Sequence, residues 1–235
     1  MEFITRSHRF AEEIIQQNPG LESLYKEITT SILAISDDLL SRTFENRGLQ
    51  DREPENDEAS WMSLSYAINI ILDDLLVAKG WDRQSQIFQG SQYKSTWTLD
   101  FSKQIVVSET DDQGKIVGSK NVGFAVEVAF NHGEAIAWNL MKPVLAAEVN
   151  HLDKKLNVDA GIGIMIVATQ ELKKAGAFDG AVGSFERVER YLIPMQHQLT
   201  VPIMLIGLKA PKSFRVVKQL DPVTKKNKGA IEHSL

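Results

Sequence analysis

The sequence predicts an α/β fold: a central mixed β-sheet flanked by helices, with a helical N-terminal part. Three observations carry this. Residues 21–40 and 63–79 repeat apolar side chains at helical spacing. Residues 122–130, Val-Gly-Phe-Ala-Val-Glu-Val-Ala-Phe, alternate between a bulky face and a face of small residues. Residues 161–168 and 201–208 are unbroken apolar runs, the pattern of central strands covered on both sides.

In chain order, Leu21, Leu24, Tyr25, Ile28, Ile32 and Ile35 form the stripe of the first helix. Residues 45–60 are polar, with Arg47, Arg52 and acids around Pro54, and read as a solvated loop. The second helix carries Leu64, Ala67, Ile68, Ile71, Leu72, Leu75 and Leu76, and Gly80 ends it. Strand character begins near Gln86. Residues 96–101 alternate, and 105–108 and 115–118 flank Asp111-Asp112-Gln113-Gly114, a hairpin turn signature. Residues 135–149 read as an amphipathic helix and 184–195 as another, so strand, helix, strand, helix and strand succeed one another as an α/β sheet requires. No internal repeat, Walker loop or Gly-x-Gly-x-x-Gly after a strand is present, which argues against those nucleotide-binding folds.

A chain of 235 residues fits one domain: a mainly helical part over 1–82, a sheet core over 86–211 and a basic tail over 212–235. The absence of cysteine excludes disulfides, thiolate zinc sites and cysteine nucleophiles together. The N-terminus turns polar too early for a signal peptide and no apolar run reaches membrane-spanning length, so a cytoplasmic protein is expected. A net charge of −5 gives no support to nucleic-acid binding, yet local basic patches outweigh the total, and metal-dependent nucleases carry acids at their centre.

Glu127 is the one charge in the 122–130 run. A carboxylate among apolar residues is rarely buried without a cation, a metal or several donors. The bulky face (Val122, Phe124, Val126, Val128, Phe130) can enter a core; the small face (Gly123, Ala125, Ala129) lets something approach the acid closely. A structural salt bridge and a catalytic or metal-binding role both fit. Leu99-Asp100-Phe101 presents a second acid at an apolar strand edge. Two hard oxygen donors on neighbouring strands suit magnesium, which keeps several waters and takes one or two carboxylates.

Taken with the segment order, these motifs resemble the BglII/BstYI group of type II restriction endonucleases in the PD-(D/E)xK nuclease superfamily. The resemblance runs from about residue 20 to residue 211. It covers the helix from Ala67-Ile68-Asn69 to Ala78-Lys79-Gly80-Trp81, then Leu99-Asp100-Phe101 and residues 125–130. It closes with the strand around Ile164, Ser184-Phe185-Glu186 and residues 201–207. It implies a restriction-endonuclease-like fold, a homodimer on a short palindromic duplex site of the GATC-centred kind, and Mg²⁺-dependent hydrolysis leaving a 5′-phosphate. A cognate DNA methyltransferase is expected in the same system, not as a stable partner. Carried over, the metal-binding acids fall on Asp100 and Glu127, with the carbonyl of Val128 as a further ligand. Asn131 and His132 fall on a stretch that enters the DNA groove, where loop capping and a surface histidine are the plain alternatives. Ser184 falls on a loop that reads the site, and its plain alternative is a helix N-cap. Asn69 falls on a helix position facing the metal.

Two departures stand out. Family members link the two acids closely, whereas 26 residues intervene here, enough for a hairpin that either contacts DNA or decorates the surface. The family's Glu-x-Gln, Glu-x-Glu or Glu-x-Lys element reads Glu127-Val128-Ala129, and alanine can neither orient nor activate water. Three explanations compete: His132, Glu134 or Glu148 compensates, the chain is an inactivated variant, or it is a relic that only binds DNA. The late lysines and Arg215 form either a phosphate-tracking arm or a solvated tail, and Trp61, Trp81, Trp97 and Trp138 are expected in packing. Three functions therefore compete: a restriction endonuclease, a catalytically impaired sequence-specific DNA-binding protein on the same scaffold, and an α/β protein that binds a small anion.

Overall fold

The computed structural model describes residues 1–46, 62–89, 97–130, 133–147, 160–220, 222 and 227–233. Six strands, β1 (Phe3–His8), β2 (Asp82–Gln86), β3 (Thr98–Thr110), β4 (Ile116–Val128), β5 (Ala160–Ala168) and β6 (Ile203–Leu208), form one sheet in the order β1-β6-β5-β4-β3-β2. β4, β5 and β6 run parallel, while β1, β3 and β2 pair antiparallel with their neighbours. The sheet is therefore mixed, and its parallel centre coincides with the continuous apolar runs, which must be covered on both faces.

Helices α1 (Ala11–Gln17), α2 (Pro19–Ala34), α3 (Asp37–Glu45), α4 (Ser65–Val77) and α6 (Gln170–Ala175) contribute to one core, against Val122, Phe124, Val126, Ile164 and Ile206. The opposite face is smaller. There α5 (Ile136–Ala147) and α7 (Phe185–Leu192) pack on Met165, Val167, Ile203 and Leu205. The two faces of β4 thus divide as the alternation of its residues requires.

Several boundaries differ from the sequence reading, each for a local reason. Residues 21–40 are two helices, because Ser36 caps a new one: its Oγ accepts the Leu39 N–H at 3.1 Å, and Asp37 and Asp38 fill the favourable first turn. The N-terminal part also supplies β1, whose Arg6, Ser7 and His8 hide its strand character. The hairpin over 105–118 is no separate ribbon but the outer half of β3 and β4, joined at Asp111–Gly114 with Gly114 at φ 78°. The basic tail is corrected too. β7 (Phe214–Leu220) and β8 (Asn227–His233) form an antiparallel pair, and Phe214 and Val216 are buried in the main core. α4 ends as expected, with Gly80 at φ 78° and the Trp81 N–H returning to the Leu76 carbonyl at 3.1 Å.

Of the tryptophans, Trp81 is buried and donates Nε1–H to Glu27 at 2.7 Å, while Trp97 meets Trp138 edge-on with centroids 4.7 Å apart. Both arrangements are packing; Trp61 lies outside the described residues. Glu27 also binds Lys103 at 2.7 Å, which ties α2 to β3.

Candidate active site

The antiparallel register of β3 and β4 ends at Phe101 opposite Val126, one step before Asp100 and Glu127 would face each other. β4 stays fixed on its other edge, where pairing with β5 runs on to Val128 opposite Ile166, and the Ala129 N–H reaches the Ile166 carbonyl at 2.8 Å. The sheet therefore opens on one side only. Asp100 fills the opening: its Oδ2 accepts the Val128 N–H at 2.7 Å. A carboxylate has taken the place of a ladder acceptor, which satisfies a main-chain donor that strand splaying would orphan.

Gln84, on β2, donates from Nε2 to Asp100 Oδ1 at 3.4 Å and sits at φ 46°, a left-handed conformation that costs a non-glycine residue free energy. Asp100 lines a cleft of about 190 Å³ with Tyr66, Asn69, Asp73, Arg83, Gln84 and Val128. Asn69 thus shares the cleft of Asp100. Asp73 and Arg83 form an ion pair at 3.1 Å on its wall.

Glu127 lies on the small face of β4, under α5, and is 2% exposed. Its Oε2 accepts from Lys142 Nζ at 2.8 Å, the lysine arriving from α5. Its Oε1 is buried with no hydrogen-bond partner among the described residues. Burial first, and the negative charge of Asp100 second, push the Glu127 carboxyl up to about 8, with Lys142 pulling the other way. Burial also raises Asp100, while the Val128 N–H, Lys142 and Gln84 pull it back. The two acids therefore sense one another, and the site lacks enough positive charge to hold both ionised easily.

That deficit fits a divalent cation, as does a buried oxygen with no donor. Asp100, Glu127 and the Val128 carbonyl are the groups that could hold one. Among the described residues no cluster of three or more His, Cys, Asp or Glu side chains could enclose a metal, so an ion here would keep part of its water shell.

The remaining candidates are scattered. Asn131, His132 and Glu148 lie outside the described residues, and Glu134 is exposed in a 3-10 turn. Ser184 has the N-cap geometry of α7, its Oγ accepting the Arg187 N–H at 3.4 Å, and it lines a separate recess with Lys173, Arg187 and Arg190. Lys142 is the site residue that the motifs did not mark. A signal existed, since it is the one charge in the residues of α5, just as Glu127 is in its own strand.

A mixed sheet that opens at one buried and one half-buried acid, with helices on both faces, has the fold of a restriction endonuclease. The crystal structure of restriction endonuclease BglII complexed with a DNA 16-mer superposes with a TM-score of 0.56 at 16% identity, covering 100% of both chains. The structure of free BglII aligns at a TM-score of 0.44 and 14% identity, again over 100% of both chains. A search of curated proteins finds no match. The family model for restriction endonuclease BglII/BglIII matches residues 3–208. The chain belongs to that family and is a type II site-specific deoxyribonuclease. Restriction endonucleases of this family generally use a divalent metal.

Proposed function

We propose that the protein is a homodimeric restriction endonuclease that hydrolyses both strands of a short palindromic, GATC-centred duplex with Mg²⁺. The observation that carries this reading is the opening between β3 and β4, where Asp100 accepts the Val128 N–H beside a Glu127 whose buried Oε1 has no hydrogen-bond partner among the described residues. Asp100, Glu127 and the Val128 carbonyl would hold the cation. When bound, it supplies Lewis acidity at the scissile phosphate and neutralises charge that builds there. The chain's own groups shape the site: Val128 N–H and Gln84 orient Asp100, and Lys142 places a positive charge at Glu127. In the reaction a water oxygen bonds to phosphorus, the P–O3′ bond breaks, the 3′ oxygen leaves as a hydroxyl with a proton given up by the water, and the downstream fragment keeps the phosphate on its 5′ oxygen. Asn69, at the cleft, supports Asp100. Asn131, His132 and Ser184 are proposed DNA contacts, on the family resemblance alone. Two-fold symmetry of the dimer would match that of the DNA, and a cognate methyltransferase would protect host sites.

Unmethylated plasmid incubated with Mg²⁺ should give discrete bands that vanish in Glu127→Ala. Smearing, or no cutting with either Mg²⁺ or Mn²⁺, counts against the reading. One observation favours a second function. Ala129, 4% exposed, offers only a methyl group where the family carries a polar side chain. A protein that binds a specific sequence without cutting it, and gains cleavage on Ala129→Gln, Ala129→Glu or Ala129→Lys, would be an impaired DNA-binding scaffold.

A further inference from the structure

We infer that Lys142, delivered by α5, is the third polar group of the active site and replaces the side chain that Ala129 lacks. This deepens the nuclease reading and rests on it. Among the described residues Lys142 is the one cation bonded to either acid, at 2.8 Å from Glu127 Oε2. It is held rather than flexible: its side chain is 16% exposed, and the adjoining Pro143 packs on β5 over Gly163, where an added Cβ would come within 2.6 Å of the Pro143 ring. An ammonium has three donors. Glu127 takes one, and among the described residues no other acceptor takes the remaining two. Those two can orient a water or a phosphate oxygen at the acid. Its charge reaches both carboxylates, since it also favours the ionised form of Asp100.

Glu127 on β4 and Ala129, the residue just past its end, lie on the same side of the sheet, the side that α5 covers. A side chain two residues after Glu127 and one descending from α5 therefore approach the acid from the same side. Position 129 can shrink to alanine without emptying the site of a cation. A buried ion pair that only neutralises Glu127 is the competing account, and it predicts a different response of metal affinity. A lysine that merely props Glu127 takes metal binding down when removed. A lysine that acts on the substrate does not, because losing a positive charge beside two acids leaves their attraction for a divalent ion intact or stronger.

The chain contains no cysteine, so Lys142→Cys introduces a unique thiol, and alkylation with 2-bromoethylamine in denaturant followed by refolding restores an ammonium at nearly the original length. Single-turnover cleavage by K142C should fall by about 100-fold or more. DNA affinity measured in Ca²⁺ and Mn²⁺ affinity measured by calorimetry should stay within about threefold or tighten, and aminoethylation should recover at least about tenfold of the lost rate. If K142C does not refold, Lys142→Met keeps the stem without the charge, and Ala129→Lys in that background supplies the rescue. Cleavage by a folded K142C or K142M at the wild-type rate overturns the inference, as does Mn²⁺ affinity lost in parallel with activity, or a failed rescue in a folded protein. Wild-type protein that cuts no DNA with either ion overturns the nuclease reading, and this inference with it; wild-type cutting matched by K142M overturns the lysine alone.

Discussion

Glu127 enters the fold at a cost, and the sign of that cost is measurable. Its carboxyl, ordinarily near 4.5, titrates in the folded chain at about 8 because burial and the neighbouring Asp100 disfavour the charged form. Between those values the folded protein holds a proton that the unfolded chain has released. Stability contributed by this group is therefore fully present below the ordinary value and is lost as pH rises toward about 8. Each pKa unit corresponds to about 1.4 kcal/mol. Asp100, also raised, adds a loss of the same sign. Metal-free protein in EDTA should show a melting temperature that declines between about pH 5 and pH 8, and Glu127→Gln should flatten much of that decline. A melting temperature independent of pH across this window in the wild type would show that Glu127 is not desolvated as described. Added Mg²⁺ should raise the melting temperature most at the alkaline end, since a ligand that binds only the folded chain stabilises it and this one needs the ionised acid.

At the scale of elements, the site depends on how closely α5 lies on the sheet. Gly163 on β5 pairs with Ala125 on β4, and the missing side chain lets Pro143 descend. Gly163→Ala would place a Cβ 2.6 Å from Pro143 Cβ, closer than real contacts allow, and a tight 3.2 Å from Ile203. The helix must lift, and Lys142 with it. Overpacking of this kind costs about 1–3 kcal/mol, and cleavage should fall by more than the stability loss explains at temperatures where G163A is fully folded. Unchanged cleavage in G163A would detach α5 from function. The same elements show what was legible in the sequence. β4, β5 and β6 were visible because alternation and apolar runs report directly on burial, and Asp100 and Glu127 because a charge in such a run is anomalous. β1 was invisible: at the sheet's edge it needs one apolar side only, and Thr5, Arg6 and Ser7 read as coil. The helix break at Ser36 is hidden in the sequence because the apolar stripe continues past it into α3. Lys142 lies 15 residues from Glu127 in sequence, and only the crossover from β4 through α5 to β5 brings them together. No motif spacing carries that contact.

For the molecule as a whole, the residues past β6 decide how far the fold extends. A solvated basic tail would leave the core unaffected by its removal. Here Asp37 Oδ2 at the start of α3 accepts from the Lys212 N–H at 2.8 Å, the Ser213 N–H at 2.9 Å and the Ser213 hydroxyl at 2.8 Å. This anchors the strand pair, and Phe214, 2% exposed, inserts into the core that α1 to α4 cover. The bonds also hold the Asp37 carboxyl below its ordinary value against the opposing effect of burial. Truncating a buried phenylalanine removes its transfer free energy and leaves a cavity, together about 3–5 kcal/mol. Phe214→Ala should therefore lower the unfolding free energy by that amount, read as a lower denaturant midpoint at an unchanged slope, whereas Lys218→Ala, on an exposed stretch of the same strand, should leave the unfolding free energy within about 0.5 kcal/mol of the wild type. Equal midpoints for Phe214→Ala and the wild type would return residues 212–235 to the status of a tail. The comparison also isolates the DNA contribution of this strand pair. If its lysines track phosphate, Lys218→Ala weakens DNA binding at low salt and reduces the salt slope by about one ion while the melting curve stays put.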